Sequence, residues 1–165
     1  MKLAGMIFIV ASAGSVGLGI ARGLRKRCFL FQQLLQALQL LRNEIAFCGT
    51  PLPQIFALMA ASCRGELETI FSETARSMDH GKTSPSEAMY KALKGCVDRE
   101  LTGLLLQLTA GLGKYDLEAQ LNTVEAVREQ VQTLLYSLEQ ERRTKSKTYE
   151  TLGICTGLAL AILLV

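Results

Sequence analysis

The run LAGMIFIVASAGSVGLGIARGLRKR, Leu3 to Arg27, decides how the rest of the chain is read. Nineteen uncharged residues, Leu3 to Ala21, are followed at once by Arg22, Arg25, Lys26 and Arg27. As a helix, such a run rises roughly 28 Å, close to the hydrocarbon thickness of a bilayer, and this predicts a membrane span. Basic residues at the end of a span are retained on the cytoplasmic side, so Met1 is expected outside and the chain after Arg22 inside. A cleaved secretory signal is the rival reading, built from Lys2, the apolar Leu3 to Val10 and the small residues Ala11-Ser12-Ala13. Two features weigh against it: apolar character continues to Ala21, and four positive charges follow that oppose translocation.

The other end of the chain mirrors the first. Leu152 to Val165 is apolar to the terminus, and Arg142, Arg143, Lys145 and Lys147 precede it. Fourteen residues are short for a span. A terminal carboxylate at the far interface and local thinning of the bilayer nevertheless allow insertion. With basic collars on the same side of both apolar ends, the expectation is a two-span hairpin around a cytoplasmic domain. Gly153, Gly157 and Ala161 fall at i, i+4 and i+8, a small-residue face suited to close helix packing, with Ala13 and Gly17, or Ser15 and Gly19, as its counterpart. The expected division is residues 1–24 as the first anchor, 25–150 as the cytoplasmic bundle and 151–165 as the second anchor.

The formal net charge of +3 hides an uneven distribution. Between Cys28 and Glu141 nine basic residues face fourteen acidic ones, a net of −5, so the basic excess sits beside the apolar ends. This placement suits anionic lipid headgroups and topology; nucleic acid, which would require a basic face on the domain itself, is not an expected partner. The five cysteines (Cys28, Cys48, Cys63, Cys96 and Cys155) include no C-x-x-C pair and are expected to be small buried side chains in a reducing compartment.

The middle of the chain reads as successive helices. Leu30, Leu34, Leu38, Leu41, Ile45 and Cys48 recur at steps of three and four, and Gly49 with Thr50-Pro51-Leu52-Pro53 ends that helix. A shorter helix from Pro51 to Ser62 follows. After a break at Gly65, Leu67, Ile70, Phe71, Ala75 and Met78 form another face. Ser84-Pro85-Ser86-Glu87 is a helix start with Ser84 as cap, and Ala88, Tyr90, Ala92 and Leu93 belong to that helix, which stops at Gly95. Asp98 caps the next, running through Leu101, Leu104, Leu105 and Leu108 to Gly111 and Gly113. Asp116 begins the longest, with the stripe Leu117, Leu121, Val124, Val127, Val131, Leu134 and Leu138. Short connections between helices predict an all-α, antiparallel bundle of about six helices, with no strands.

Motifs for chemistry are few. Gly81-Lys82-Thr83 resembles the end of a phosphate-binding loop, yet Arg76 stands where the pattern needs a glycine, and no strand precedes it. His80, beside Asp79, is the single histidine, so a histidine metal cluster cannot be built. The acid pairs Glu66 and Glu68, and Glu139 and Glu141, fall where solvated carboxylates are ordinary. No nucleophile elbow or Ser-His-Asp ordering is present. The expectation is a protein that is not an enzyme, with no catalytic residues, no cofactor and no metal. The alternative is a membrane-tethered hydrolase using converging acids among Glu44, Glu66, Glu73, Glu87 and Asp116.

Three stretches, taken together, carry a resemblance. They are Leu41-Arg42-Asn43-Glu44-Ile45 followed by Thr50-Pro51-Leu52; Gly111-Leu112-Gly113 with Asp116 and Gln120; and Lys145 to Tyr149 leading into Leu152-Gly153 and Gly157-Leu158. In this order and spacing they resemble the stage III sporulation protein AB family of endospore-forming bacteria, nearly end to end. The resemblance implies a mother-cell membrane protein of the channel linking mother cell and forespore, with its central domain in the cytoplasm. It also implies similarity to the helical cytoplasmic domains of the platform protein in type II secretion and type IV pilus systems. The implied partners are a companion secretion-type ATPase and other membrane components of the complex, and a homo-oligomer stays open. The hydrolase alternative would then act in sporulation. The connections holding Thr50, Pro51 and Leu52, and Gly113 and Asp116, are the candidates for contact with the ATPase, against a reading as plain capping and turn chemistry.

Overall fold

The computed structural model describes the backbone of residues 2–79, 83–113 and 116–164, and the side chains of residues 22–78, 83–113 and 116–144. Its elements are α1 (Lys2–Asn43), a π-helical turn (Glu44–Cys48), α2 (Leu52–Ser62), α3 (Glu66–Asp79), α4 (Pro85–Ala92), α5 (Arg99–Gly111) and α6 (Leu117–Leu164). The described residues are thus all-α, with six helices and no strand.

The breaks fall where backbone chemistry forces them. Gly49, Gly65, Gly95 and Gly113 all have positive φ, a conformation that side chains with a Cβ resist. Ser84 takes the N–H of Glu87 at 3.3 Å, with Pro85 in the first turn of α4. Glu87 turns its carboxylate to Lys91 at 2.9 Å. Asp98 accepts from the N–H groups of Glu100 and Leu101 at 3.0 and 3.2 Å and so caps α5.

The chain divides into two compact units. One spans Leu30–Leu134. In it α2 packs on α3, α3 on α4 and α4 on α5, as short connections require of neighbouring helices. Phe31, Leu34, Leu38, Leu41, Ile55, Phe56, Leu67, Phe71, Met89, Leu101 and Leu105 are completely or almost completely buried. Phe56 and Phe71 join α2 to α3, with ring centroids 6.2 Å apart in a tilted pair. The buried polar groups are paired. Thr74 donates to the Ile70 carbonyl and meets the Met89 sulfur on α4, and Thr109 donates to the Leu105 carbonyl while its own carbonyl accepts from Ser86. Gln33 on α1 accepts from the Arg64 N–H at 2.7 Å.

The other unit comprises the first part of α1, up to Phe29, and the last part of α6, from Leu135. Cys28 and Leu138 are buried in it, whereas Arg22, Arg25, Lys26, Arg142 and Arg143 are exposed. Among the described residues, no helix is long and apolar enough to cross a membrane. The runs Leu3 to Ala21 and Leu152 to Val165, on which the two-anchor expectation rests, lie outside the residues whose side chains are described, as do Gly153, Gly157 and Ala161.

Side-chain placement departs from the sequence reading at several points. Cys48 was expected on the inner face of the first helix and is exposed. A π turn closes its hydrogen bonds one residue later than an α turn, so the apolar phase slips after Asn43. In α4 the buried residues are Ala88 and Met89, and Tyr90 is exposed. Leu117 begins the expected stripe of α6 but is half exposed, while Val124, Val127 and Val131 are fully buried.

Candidate functional site

The motif residues between Leu41 and Gln120 interlock in the larger unit. Glu44 opens the π turn, and its carbonyl accepts from the N–H of Gly49 at 3.0 Å; Gly49 itself is left-handed, with φ 60° and ψ 24°. The Glu44 carboxylate then accepts the Thr50 hydroxyl at 2.6 Å, which ties the start of the turn to its exit. Pro51 leaves in an extended conformation, with φ −59° and ψ 139°, and its carbonyl receives the N–H groups of Gln54 and Ile55, starting α2.

Gly113 reaches the same place from the other side. A Cβ at Gly113 would lie 3.4 Å from Cδ1 of Leu52 and 3.7 Å from Cγ of Pro85. The Gly113 N–H donates to Gln120 Oε1 at 3.3 Å, and Asp116 caps α6 by accepting the Ala119 N–H at 3.3 Å. Leu52 and Gly113, proposed separately from sequence as contact residues, are therefore neighbours. Thr50 and Asp116 each have a local structural task; Pro51, Gly113 and Asp116 are exposed, and Thr50 and Leu52 are half-buried.

Gly111 and Arg42 serve packing. A Cβ at Gly111 would stand 2.6 Å from Oγ1 and 2.7 Å from Cγ2 of Thr123, so α5 and α6 approach here only because no side chain intervenes. Arg42 on α1 lies 3.6 Å from Glu125 on α6, and Arg128 grips the same carboxylate through Nε, 3.1 Å from each oxygen. The Arg128 hydrogen bond first, then the charges of Arg128 and Arg42, hold the Glu125 carboxyl below its ordinary range.

The residue that sequence reading passed over is Phe47. It is the fourth of the five residues of the π turn and is 82% exposed. The spacing Leu41, Ile45, Cys48 leaves it off the apolar stripe, so the signal for it in the sequence is a large aromatic residue away from the core face. Cys48 beside it is also exposed; desolvation first, then the Glu44 carboxylate, push its thiol above the ordinary value. Such a thiol stays mostly protonated near neutral pH, which argues against a catalytic nucleophile while leaving it open to a thiol reagent in excess.

The acids that a hydrolase would use are spent singly. Glu66 and Glu73 are exposed, Glu87 pairs with Lys91, Asp116 caps α6 and Glu44 holds Thr50. Among the described residues, no three metal-binding side chains gather. A shallow depression between α5 and α6, lined by Gln107, Ala110, Gly111, Asn122, Thr123 and Ala126, is open and lacks any titratable group. His80, Gly81 and Lys82 lie outside the described residues.

A solved structure of a stage III sporulation protein AB superposes with a TM-score of 0.62 at 24% identity, covering 68% of this chain and 93% of that one, which supports the helical fold. The stage III sporulation protein AB of Bacillus subtilis (strain 168) is 28% identical over 169 residues, 99% of each chain. The family model described as stage III sporulation protein AB matches residues 2–165. With the family match running over residues 2–165, this chain belongs to the stage III sporulation protein AB family.

Proposed function

We propose that the chain is a membrane-anchored, non-enzymatic assembly component of the channel between mother cell and forespore, docking a cytoplasmic secretion-type ATPase as a platform-like adaptor. The observation that carries this reading is Phe47, an aromatic side chain left 82% exposed on a turn braced by the 2.6 Å bond between Thr50 and Glu44. A rigid turn holding an aromatic ring in water gains nothing for the fold, and such rings are favoured anchors at protein interfaces. Thr50, Pro51, Leu52, Gly113 and Asp116, the contact candidates marked by the sequence, complete the docking residues of this reading.

Anchoring rests on the two apolar ends and their basic collars, together with the grouping of both chain ends in one compact unit. The two spans pack on each other through the face carrying Gly153, Gly157 and Ala161, and contact other membrane components of the channel. The tagged full-length protein, solubilised in detergent, is expected to retain the companion ATPase and to lose it on Phe47→Asp with its melting temperature unchanged. Failure of the unmodified protein to retain the ATPase would remove the adaptor role.

Orientation has a separate test. Cys48 is the accessible reporter, since Cys63 is only 4% exposed. A membrane-impermeant maleimide is expected to label Cys48 after lysis and to leave it untouched in intact cells. Labelling in intact cells would place the bundle outside.

A further inference from the structure

The basic collars are usually sufficient as topology signals wherever they fall near a span. Here they are more specific than that function needs. Arg22, Arg25 and Lys26 occupy i, i+3 and i+4 of α1, so they share one helix face. Arg142 and Arg143 stand in α6, within the same compact unit. All five are exposed, and none has an ion pair or side-chain hydrogen bond among the described residues. Arg27 and Glu141 carry interactions of their own and stand outside the set. Like charges on one helix face repel each other, and a dense anion removes that cost.

We infer that Arg22, Arg25 and Lys26 of α1, together with Arg142 and Arg143 of α6, hold the phosphodiester headgroups of anionic phospholipid, an inference that rests on the membrane-anchored reading. Guanidinium groups match phosphate oxygens in bidentate geometry, and four of the five cations are arginine. The adjoining apolar run from Leu3 to Ala21 favours lipid over free phosphate or nucleic acid, because it brings the collar to headgroup depth. The protein therefore selects anionic lipid from both of its basic segments.

The test uses the full-length chain in nonionic micelles doped with phosphatidylglycerol or phosphatidylcholine, with retained lipid read by native mass spectrometry. Phosphatidylglycerol is expected to be retained preferentially. The preference should fall roughly fivefold for each charge removed, both in Arg22→Gln/Arg25→Gln/Lys26→Gln and in Arg142→Gln/Arg143→Gln, with helix content unchanged. Equal retention of both lipids, or unchanged retention by both variants, would overturn it. Displacement of the lipid by millimolar inorganic phosphate, or by a short oligonucleotide at equal phosphate concentration, would also overturn it, since either result assigns a general anion site. Alkaline carbonate extraction keeps the two readings apart. A chain that resists extraction but shows no anionic preference loses only this inference. A chain that is extracted yet still floats with anionic vesicles, and not with zwitterionic ones, loses the anchors and keeps the headgroup site.

Discussion

Two connections in the larger unit use the same device and end differently. Both α1–α2 and α2–α3 turn on a glycine of positive φ, Gly49 and Gly65. At the second, the chain is stitched to a distant helix: Gln33 accepts the Arg64 N–H across 31 positions, and Cys63 beside it is buried. At the first, the brace is local, with Thr50 reaching back six positions to Glu44, and Phe47 and Cys48 face water. The loop secured by the core exposes only Arg64 and Gly65, and no apolar side chain. A loop that secures itself leaves its outer face for something else.

The largest expected effect tests how tightly the bundle is closed beside the open turn. Gly111→Ala forces a Cβ into Thr123, whose own hydroxyl is held by the Ala119 carbonyl at 2.9 Å. Overpacking of this kind costs about 1–3 kcal/mol. Thermal denaturation followed by circular dichroism should show the loss, and adding Thr123→Ala should restore most of it. If the double variant melts as low as the single one, the close approach of α5 and α6 is not what Gly111 serves.

Gln33→Ala comes next, because it strands the Arg64 N–H at a part-buried turn; the expected cost is about 1–2 kcal/mol in chemical denaturation. Thr50→Val removes the local brace and should cost less, about 0.5–1.5 kcal/mol, while loosening the turn that carries Phe47. Reduced retention of the ATPase by Thr50→Val, larger than its small stability loss explains, would tie the brace to the docking role. Equal losses from Gln33→Ala and Thr50→Val would erase the distinction between the stitched and the self-braced loop.

Glu125 supplies a smaller effect with a fixed sign. Its folded-state pKa lies below the ordinary 4.5, first through the Arg128 hydrogen bond, so its contribution is present above that value and is lost as pH falls through the folded pKa. Unfolding measured against pH should therefore lose part of its acid sensitivity in Glu125→Gln, below about 4.5 only. Smallest of all is the stability change from Phe47→Ala, expected within about 0.5 kcal/mol because the ring is exposed. A large loss of stability there would make Phe47 a structural residue and remove it from the docking surface.

Legibility followed the range of the forces involved. The apolar face of α3 was readable, since Leu67, Ile70, Phe71, Ala75 and Met78 keep helical spacing and all are buried; the buried Thr74 among them was not. The Ser84 and Asp98 caps were readable because an N-cap is a contact between residues two or three apart. The helix holding Ala88, Tyr90 and Ala92 was readable, but its buried large residue, Met89, was not singled out; the packing of α4 on α3 and α5 buries it and leaves Tyr90 exposed. Gln33 lies off the stripe of Leu30, Leu34 and Leu38, and its burial depends on where the Arg64 N–H arrives, 31 positions away. The docking candidates were legible as turns, but their union through Leu52 and Gly113 was not.

By itself, the sequence determined the helical periods, the glycine breaks, the caps and the basic fringes of two apolar ends, all consequences of side-chain chemistry acting over one or two turns. Tertiary structure alone decided that a π turn slips the phase after Asn43, that Cys48 faces water, and that Gly111 and Gly113 meet Thr123 and Leu52. The physical reason is that burial and close approach are properties of pairs brought together by the whole fold, and no local spacing encodes which partner arrives.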